Sequence, residues 1–260
     1  MAITTFDQYL AAPKQQISLM RTQNPSLTAH NFFTMLSLTG ATNETLLPTV
    51  GSGTSPTVLV NHTDVGFPYI YNSGNTMYLN KASYTGSTTT AVWLQDCLVR
   101  AGTFPVGTTA CTTPSISSRT VLPSGHQLET QLWLECAVAY DTAPSIQITY
   151  TSPAGASRTT GTIALGATIL RRLVRIPLQA GDSSVLSIQS VTITGASVGS
   201  CNILITRPLW YGRVNVADES MSSGPIDTGM PVIFPGTALF PMIYVDSVIG
   251  IPIVSVEIVG

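Results

Sequence analysis

The sequence predicts an all-β protein, an antiparallel β-sandwich of jelly-roll-like type with one short helix near the N-terminus. Three observations carry this. Charged residues make up only 9% of the 260 positions, against about 25% in an ordinary domain. The chain has two lysines, Lys14 and Lys81, so it cannot furnish the charged outer faces that water-exposed helices need. Several segments alternate apolar and polar residues strictly, and Gly/Pro/Asn/Asp turn signals separate them. Hydrophobic residues reach 44%, and Ser and Thr supply most of the remaining polarity. Disorder is excluded, because it needs low hydrophobicity and high net charge.

The helix comes first. Thr5 is placed to cap it, with Gln8 three residues later in a capping-box arrangement and Asp7 at the positive end of the dipole. Phe6, Tyr9 and Leu10 share one face, and Pro13 ends the helix. Strands are expected at residues 16–21 and 31–38, and residues 39–56, rich in Gly, Thr and Pro, read as a loop. Residues 128–140 give the longest period of two. Leu132, Leu134 and Cys136 fall on an apolar face, and Trp133 and Glu135 on a mixed one. Ile146, Ile148 and Tyr150 alternate with Gln147, Thr149 and Thr151, and Cys201, Ile203 and Ile205 with Asn202, Leu204 and Thr206. Between Leu186 and Ile193 the phase slips, which predicts a β-bulge at Gln189 and Ser190. Turns are expected at residues 73–75, 123–125, 153–155 and 180–182. With no repeat and no linker, the reading is a helix and arm over residues 1–30 and a β-sandwich over 31–260 with extended C-terminal strands.

Mean hydropathy is high at +0.30. The most apolar stretch, residues 230–259, is nevertheless broken by Pro231, Pro235, Pro241, Asp246, Pro252 and Glu257, so no run approaches the ~20 apolar residues of a spanning helix. The first residues lack the basic patch and apolar core of a signal peptide. A hydrophobic, charge-poor chain without a membrane segment is expected to hide apolar surface between subunits. The net charge of −2 gives no general attraction to nucleic acid or anionic membrane.

Chemistry is sparse. Residues 51–55 lack the spacing of a nucleophile elbow. His30, His62 and His126 each neighbour a turn or strand end, and nothing proposes a triad. Glu129 and Glu135 share one strand face ~20 Å apart, too far for a glycosidase pair, and are expected to be solvated or interfacial. His62 and Asp64 have no third metal ligand nearby in sequence. Arg171, Arg172 and Arg175 form the one basic cluster; without stacking aromatics it reads as a strand edge or a subunit contact. Cys97, Cys111, Cys136 and Cys201 show no metal-site spacing and read as small buried hydrophobes. Two glycosylation-type triplets, at Asn43 and Asn61, read as chance matches.

The second half carries a recognisable order. Ser145-Ile146-Gln147-Ile148-Thr149-Tyr150-Thr151 runs into Pro153-Ala154-Gly155 and Arg158-Thr159-Thr160-Gly161. Then come Pro177-Leu178-Gln179-Ala180-Gly181-Asp182, Ser187-Ile188-Gln189-Ser190-Val191-Thr192 and Arg207-Pro208-Leu209. This succession resembles a family of tailed-bacteriophage virion structural proteins, and residues 6–20 and 32–38 are similar in layout. The resemblance spans most of the chain and is weakest over residues 39–74; it departs at Ser184 and Leu186, where the family pattern has Gly and Arg. The resemblance implies a virion structural protein and no catalytic, cofactor-binding or metal-binding residue, hence no enzyme. Within that class the expectation is a head decoration or cement protein, a homo-oligomer with a trimer as the expected state. It would bind the phage major head protein lattice on the capsid surface, after assembly in the host cytoplasm, with no direct nucleic acid or membrane contact. The alternative is a tail, collar or fibre-base component, or a carbohydrate-binding sandwich of the virion.

Overall fold

A computed structural model describes residues 3–20, 30–37, 47, 50, 60, 62–64, 69–71, 74–86, 90–111, 113, 115–116, 129–165, 170–216, 218–246 and 252–260. The expected loop over residues 39–56, His126 and the turn at 123–125 lie outside, or almost wholly outside, these residues. The fold is all-β, with antiparallel sheets and one short helix near the N-terminus. Among the described residues no helix is long and apolar enough to cross a membrane. The chain forms two compact units, one of residues 1–47, 61–96 and 209–260, the other of 48–60 and 97–208. Two long strands, β4 (Thr90–Pro105) and β12 (Ser200–Val214), contribute residues to both.

The first unit begins with α1 (Phe6–Ala11). Its capping box is complete: the Gln8 amide N–H donates to Thr5 Oγ1 at 3.2 Å, and the Thr5 N–H donates to Gln8 Oε1 at 3.2 Å. After Pro13, β1 (Lys14–Met20) pairs antiparallel with β16 (Ile253–Val259) over seven residues. β16 continues onto β3 (Met77–Thr85), and β3 onto β13 (Ser220–Ser223) and the short β14 (Val232–Ile233). In β16, Val254, Val256 and Ile258 are buried while Ile253, Ser255 and Glu257 are half-buried, the period of two expected of a sheet with one core face. A second ladder runs β2 (Asn31–Thr34), β15 (Leu239–Val245), β4. β15 is buried at every residue but Tyr244, because both its faces are covered. The strand expected at 31–38 stops at Thr34, and a 3₁₀ turn takes Met35–Ser37, with Thr34 Oγ1 accepting the Leu36 N–H at 3.2 Å. One further helical turn, α2 (Pro225–Thr228), was not anticipated. Its sequence signals are local: Pro225 at the first position, Asp227 in the first turn, and Gly229 in the left-handed region at φ 67°.

The second unit is built from β5 (Gly107–Ala110), β6 (Gln131–Val138), β7 (Ser145–Thr151), β8 (Ser157–Thr159), β9 (Ile163–Ala164), β10 (Arg172–Ile176) and β11 (Ser187–Thr194). One sheet has the order β5–β11–β7–β8, with β9 also on β7; the other ladder is β10–β6–β12. Ile146, Ile148 and Tyr150 are fully buried, as their alternation predicts. The register of β11 on β7 shifts between Ile188 and Ser190, which is the expected bulge.

The loop after β10 explains the motif spacing around Tyr150 and Gly181. Tyr150 is fully buried except for its hydroxyl chemistry: its O–H donates to Asp182 Oδ2 at 2.6 Å and its oxygen accepts the Gln179 N–H at 3.0 Å. The Asp182 N–H donates to the Gln179 carbonyl at 3.0 Å, and Gly181 supplies the turn's left-handed φ of 94°. One tyrosine on β7 thus pins a loop that arrives some thirty residues later, and burial with the Asp182 bond pushes its hydroxyl pKa up to about 12.

Glu135 requires a correction. The alternation puts it on a mixed face as a solvated or interfacial residue, but it is fully buried. Its Oε2 accepts from Arg100 Nε at 2.9 Å, Arg100 Nη2 at 2.6 Å and Asn202 Nδ2 at 2.9 Å. β6 is buried on both faces from Leu132 to Cys136, so the mixed face is a second core face holding an ion pair.

Candidate interaction surface

Glu129 is exposed and Glu135 is consumed by Arg100. His30 sits exposed in a turn with φ 62°, and Asp64 lies exposed on the 3₁₀ turn His62–Asp64. Among the described residues no three His, Cys, Asp or Glu side chains gather as metal ligands do. Arg175 is exposed on β10, while Arg171 and Arg172 are half-buried and Arg171 donates its backbone N–H to the Cys136 carbonyl at 2.8 Å. All four cysteines are buried, as expected of small core residues.

What the structure does gather is aromatic surface. In the first unit four rings from four strands stand on one outer face: Phe32 on β2, Tyr244 on β15, Trp93 on β4 and Tyr211 on β12. Phe32 lies 4.7 Å from Trp93 and 4.8 Å from Tyr244, and Trp93 lies 4.8 Å from Tyr211, with ring planes 54–63° apart. These are the edge-to-face and tilted arrangements that the ring quadrupole favours. Strand pairing brings the rings together, since Tyr244 is opposite Phe32 and Met242 is opposite Trp93. Tyr211 is 49% exposed and the other three are half-buried. Two residues further along the same strand faces, Arg213 Nη2 meets Asp246 Oδ2 at 3.2 Å. The neighbours Trp210 and Gly212 point the other way, and a Cβ on Gly212 would lie 2.5 Å from the Trp210 ring. The absent side chain leaves room for that indole.

A second apolar surface lies at α1. The helix buries none of its residues, and Phe6 and Leu10 are 72% and 57% exposed. Nearby, Gln15 grips the backbone of Ile70, donating to its carbonyl at 2.6 Å and accepting its N–H at 2.9 Å, while the Ile70 side chain is 78% exposed. Sequence reasoning singled out the helix face formed by Phe6, Tyr9 and Leu10. It missed the quartet of Phe32, Trp93, Tyr211 and Tyr244, whose meeting depends on pairing between distant strands.

No family model matches the chain, and no curated protein matches it. Among solved structures, the infectious bursal disease virus VP2 subviral particle aligns at 8% identity and a TM-score of 0.21, over 99% of this chain and 83% of that one. The Gt strain structure of the same virus aligns at 7% identity and a TM-score of 0.16, over 96% of this chain and 42% of that one. Scores this low define no shared fold. The class established by the strands themselves is an all-β antiparallel sandwich.

Proposed function

We propose that this protein is a structural component of a tailed-bacteriophage virion, specifically a head decoration or cement protein. It works as a homo-oligomer, with a trimer the expected state, on the outside of the major head protein lattice. The observation that carries the reading is the aromatic quartet on a rigid sheet face, rimmed by Arg213 and Asp246. Trp, Tyr and Arg at the centre of a packed patch are the residues that dominate protein–protein contacts. The low charge content fits the same role, because a hydroxyl-rich surface packs against neighbours without desolvating many ions. The order of motifs from Ser145 to Leu209 supports the virion family. The mechanism is mass action: contacts made only in the assembled shell stabilise it against internal pressure.

Copy number tests the placement. Hundreds of copies per particle place the protein on the shell; a dozen or fewer sink the decoration reading in favour of a tail or collar component. The aromatic face has its own test. The purified wild-type protein sediments at micromolar concentration with no dominant monomer, or rebinds particles stripped of it. Trp93→Ala with Tyr211→Ala loses about 2 kcal/mol or more of that association, roughly thirtyfold in affinity, while retaining its melting temperature within a few degrees. Unchanged association and rebinding would remove the face from the contact.

The helix gives a second, separable test. Deleting residues 1–21 to detach the arm would also strip β1, whose Leu19 is buried and whose seven residues cover β16. A deletion of residues 1–12 takes only α1, which buries nothing. The shorter deletion is expected to change stability by no more than about 1 kcal/mol and to weaken particle binding. A large fall in melting temperature with binding retained would assign the helix to the core.

A further inference from the structure

We infer that Cys136 and Cys201 form an oxidisable pair, a site for an intrachain cross-link between β6 and β12. The two residues are direct partners in the antiparallel register of these strands. Directly opposed residues point to the same face, with Cα atoms ~4.5–5.5 Å apart, inside the ~4.4–6.8 Å range of disulfides. Their Cβ atoms sit about an ångström wider than a disulfide requires. The place to gain that ångström is adjacent, since the register shifts between Ser200 and Cys201.

The surroundings favour the bond over the ions that precede it. Cys201 is fully buried and Cys136 nearly so. Burial pushes the Cys201 thiol up to about 12 and, with the Glu135 carboxylate nearby, the Cys136 thiol up to about 11. Both thiolates are therefore disfavoured, so reaction in the closed protein is slow. A disulfide carries no charge and suits the same apolar space. Tyr140 packs in this cluster as well, its ring filling the space over Gly199, where a Cβ would lie 2.3 Å from Tyr140 Cδ1. Cys136 is the point of attack, because the residues that follow it, Ala137 and Val138, are half-buried and exposed while Cys201 is fully buried.

The oxidant is a small disulfide such as oxidised glutathione. The Cys136 thiolate attacks one of its sulfurs, forming a mixed disulfide and releasing one thiolate. The Cys201 thiolate then attacks the Cys136 sulfur and releases the second. Two protons pass from the protein thiols to the two leaving thiolates, and two electrons reduce the glutathione disulfide to two thiols.

The test uses the full-length native protein, incubated with oxidised glutathione in urea below the unfolding transition until the thiol count is constant. Local opening under these conditions gives the reagent access. The count measured after denaturation is expected to fall from four to two, with a Cys136–Cys201 peptide found by mass spectrometry. Cys136→Ser and Cys201→Ser each retain three thiols. The oxidised protein melts roughly 10 °C higher than the reduced one, and dithiothreitol abolishes the difference. Four thiols persisting at the endpoint, a bond mapped to Cys97 or Cys111, or loss of two thiols in Cys136→Ser would each overturn the inference.

Discussion

Replacing Glu135 with glutamine is expected to destabilise the protein by about 3–5 kcal/mol. The carboxylate is fully buried, and its Oε2 is the acceptor for Arg100 Nε, Arg100 Nη2 and Asn202 Nδ2. The amide has nearly the same shape, so no cavity opens. What changes is that the Arg100 guanidinium, itself 4% exposed, faces a neutral amide instead of the carboxylate charge that both its Nε and Nη2 reach, in a low-dielectric interior. Natural domains have only about 5–15 kcal/mol in total, so the variant should shift the urea midpoint far to the left. Removing both charges, with Arg100→Met and Glu135→Leu together, should recover part of the loss, because the apolar pair carries no charge to desolvate while the buried Asn202 Nδ2 loses its acceptor. A midpoint within experimental error of wild type for Glu135→Gln alone would mean that the pair is solvated.

Leu134→Asp is expected to abolish folding. Leu134 is 1% exposed and lies directly opposite two apolar residues, Ile203 on β12 and Val174 on β10. A carboxylate buried there costs several kcal/mol, added to the lost packing of a buried leucine at about 2–5 kcal/mol. The readout is recovery in the soluble fraction and a cooperative melt. A soluble variant with a wild-type transition would show that β6 does not present this residue to the core.

These adjacent positions mark what the sequence could and could not reveal. Alternation identified β7 and the bulge in β11, and the Thr5/Gln8 pattern identified α1, because each of those signals is local. Gly181 and Asp182 marked their turn, although nothing local showed that Tyr150 would hold it. Period two predicts that two faces differ; it does not say that the second face is wet. In β6 the mixed face carries Trp133 together with Glu135, and both are buried because the ion partner Arg100 comes from β4, thirty-five positions away. The boundary between the compact units falls inside β4 and β12, where composition does not change. The aromatic quartet was illegible for the same reason. Its members lie at positions 32, 93, 211 and 244, and only the pairing of β2, β15 and β4, with β12 alongside, makes them neighbours.

The pairing of β1 with β16 has a consequence in time. Ser18 and Ser255, whose hydroxyls meet at 2.7 Å, are 237 positions apart. At ~5–20 residues per second a ribosome needs roughly 12–50 s to travel that distance. Throughout that interval β1 exists as a nascent strand whose hydrogen-bonding partner has not been synthesised, and β3 waits beside the same gap. A chain dominated by such distant pairings pays its loop-closure entropy before contacts reward it, and folds slowly. Chaperone supply during that wait, rather than the final stability of the sheet, should therefore set how much recombinant protein is lost to inclusion bodies, and co-expressed chaperones should raise the yield.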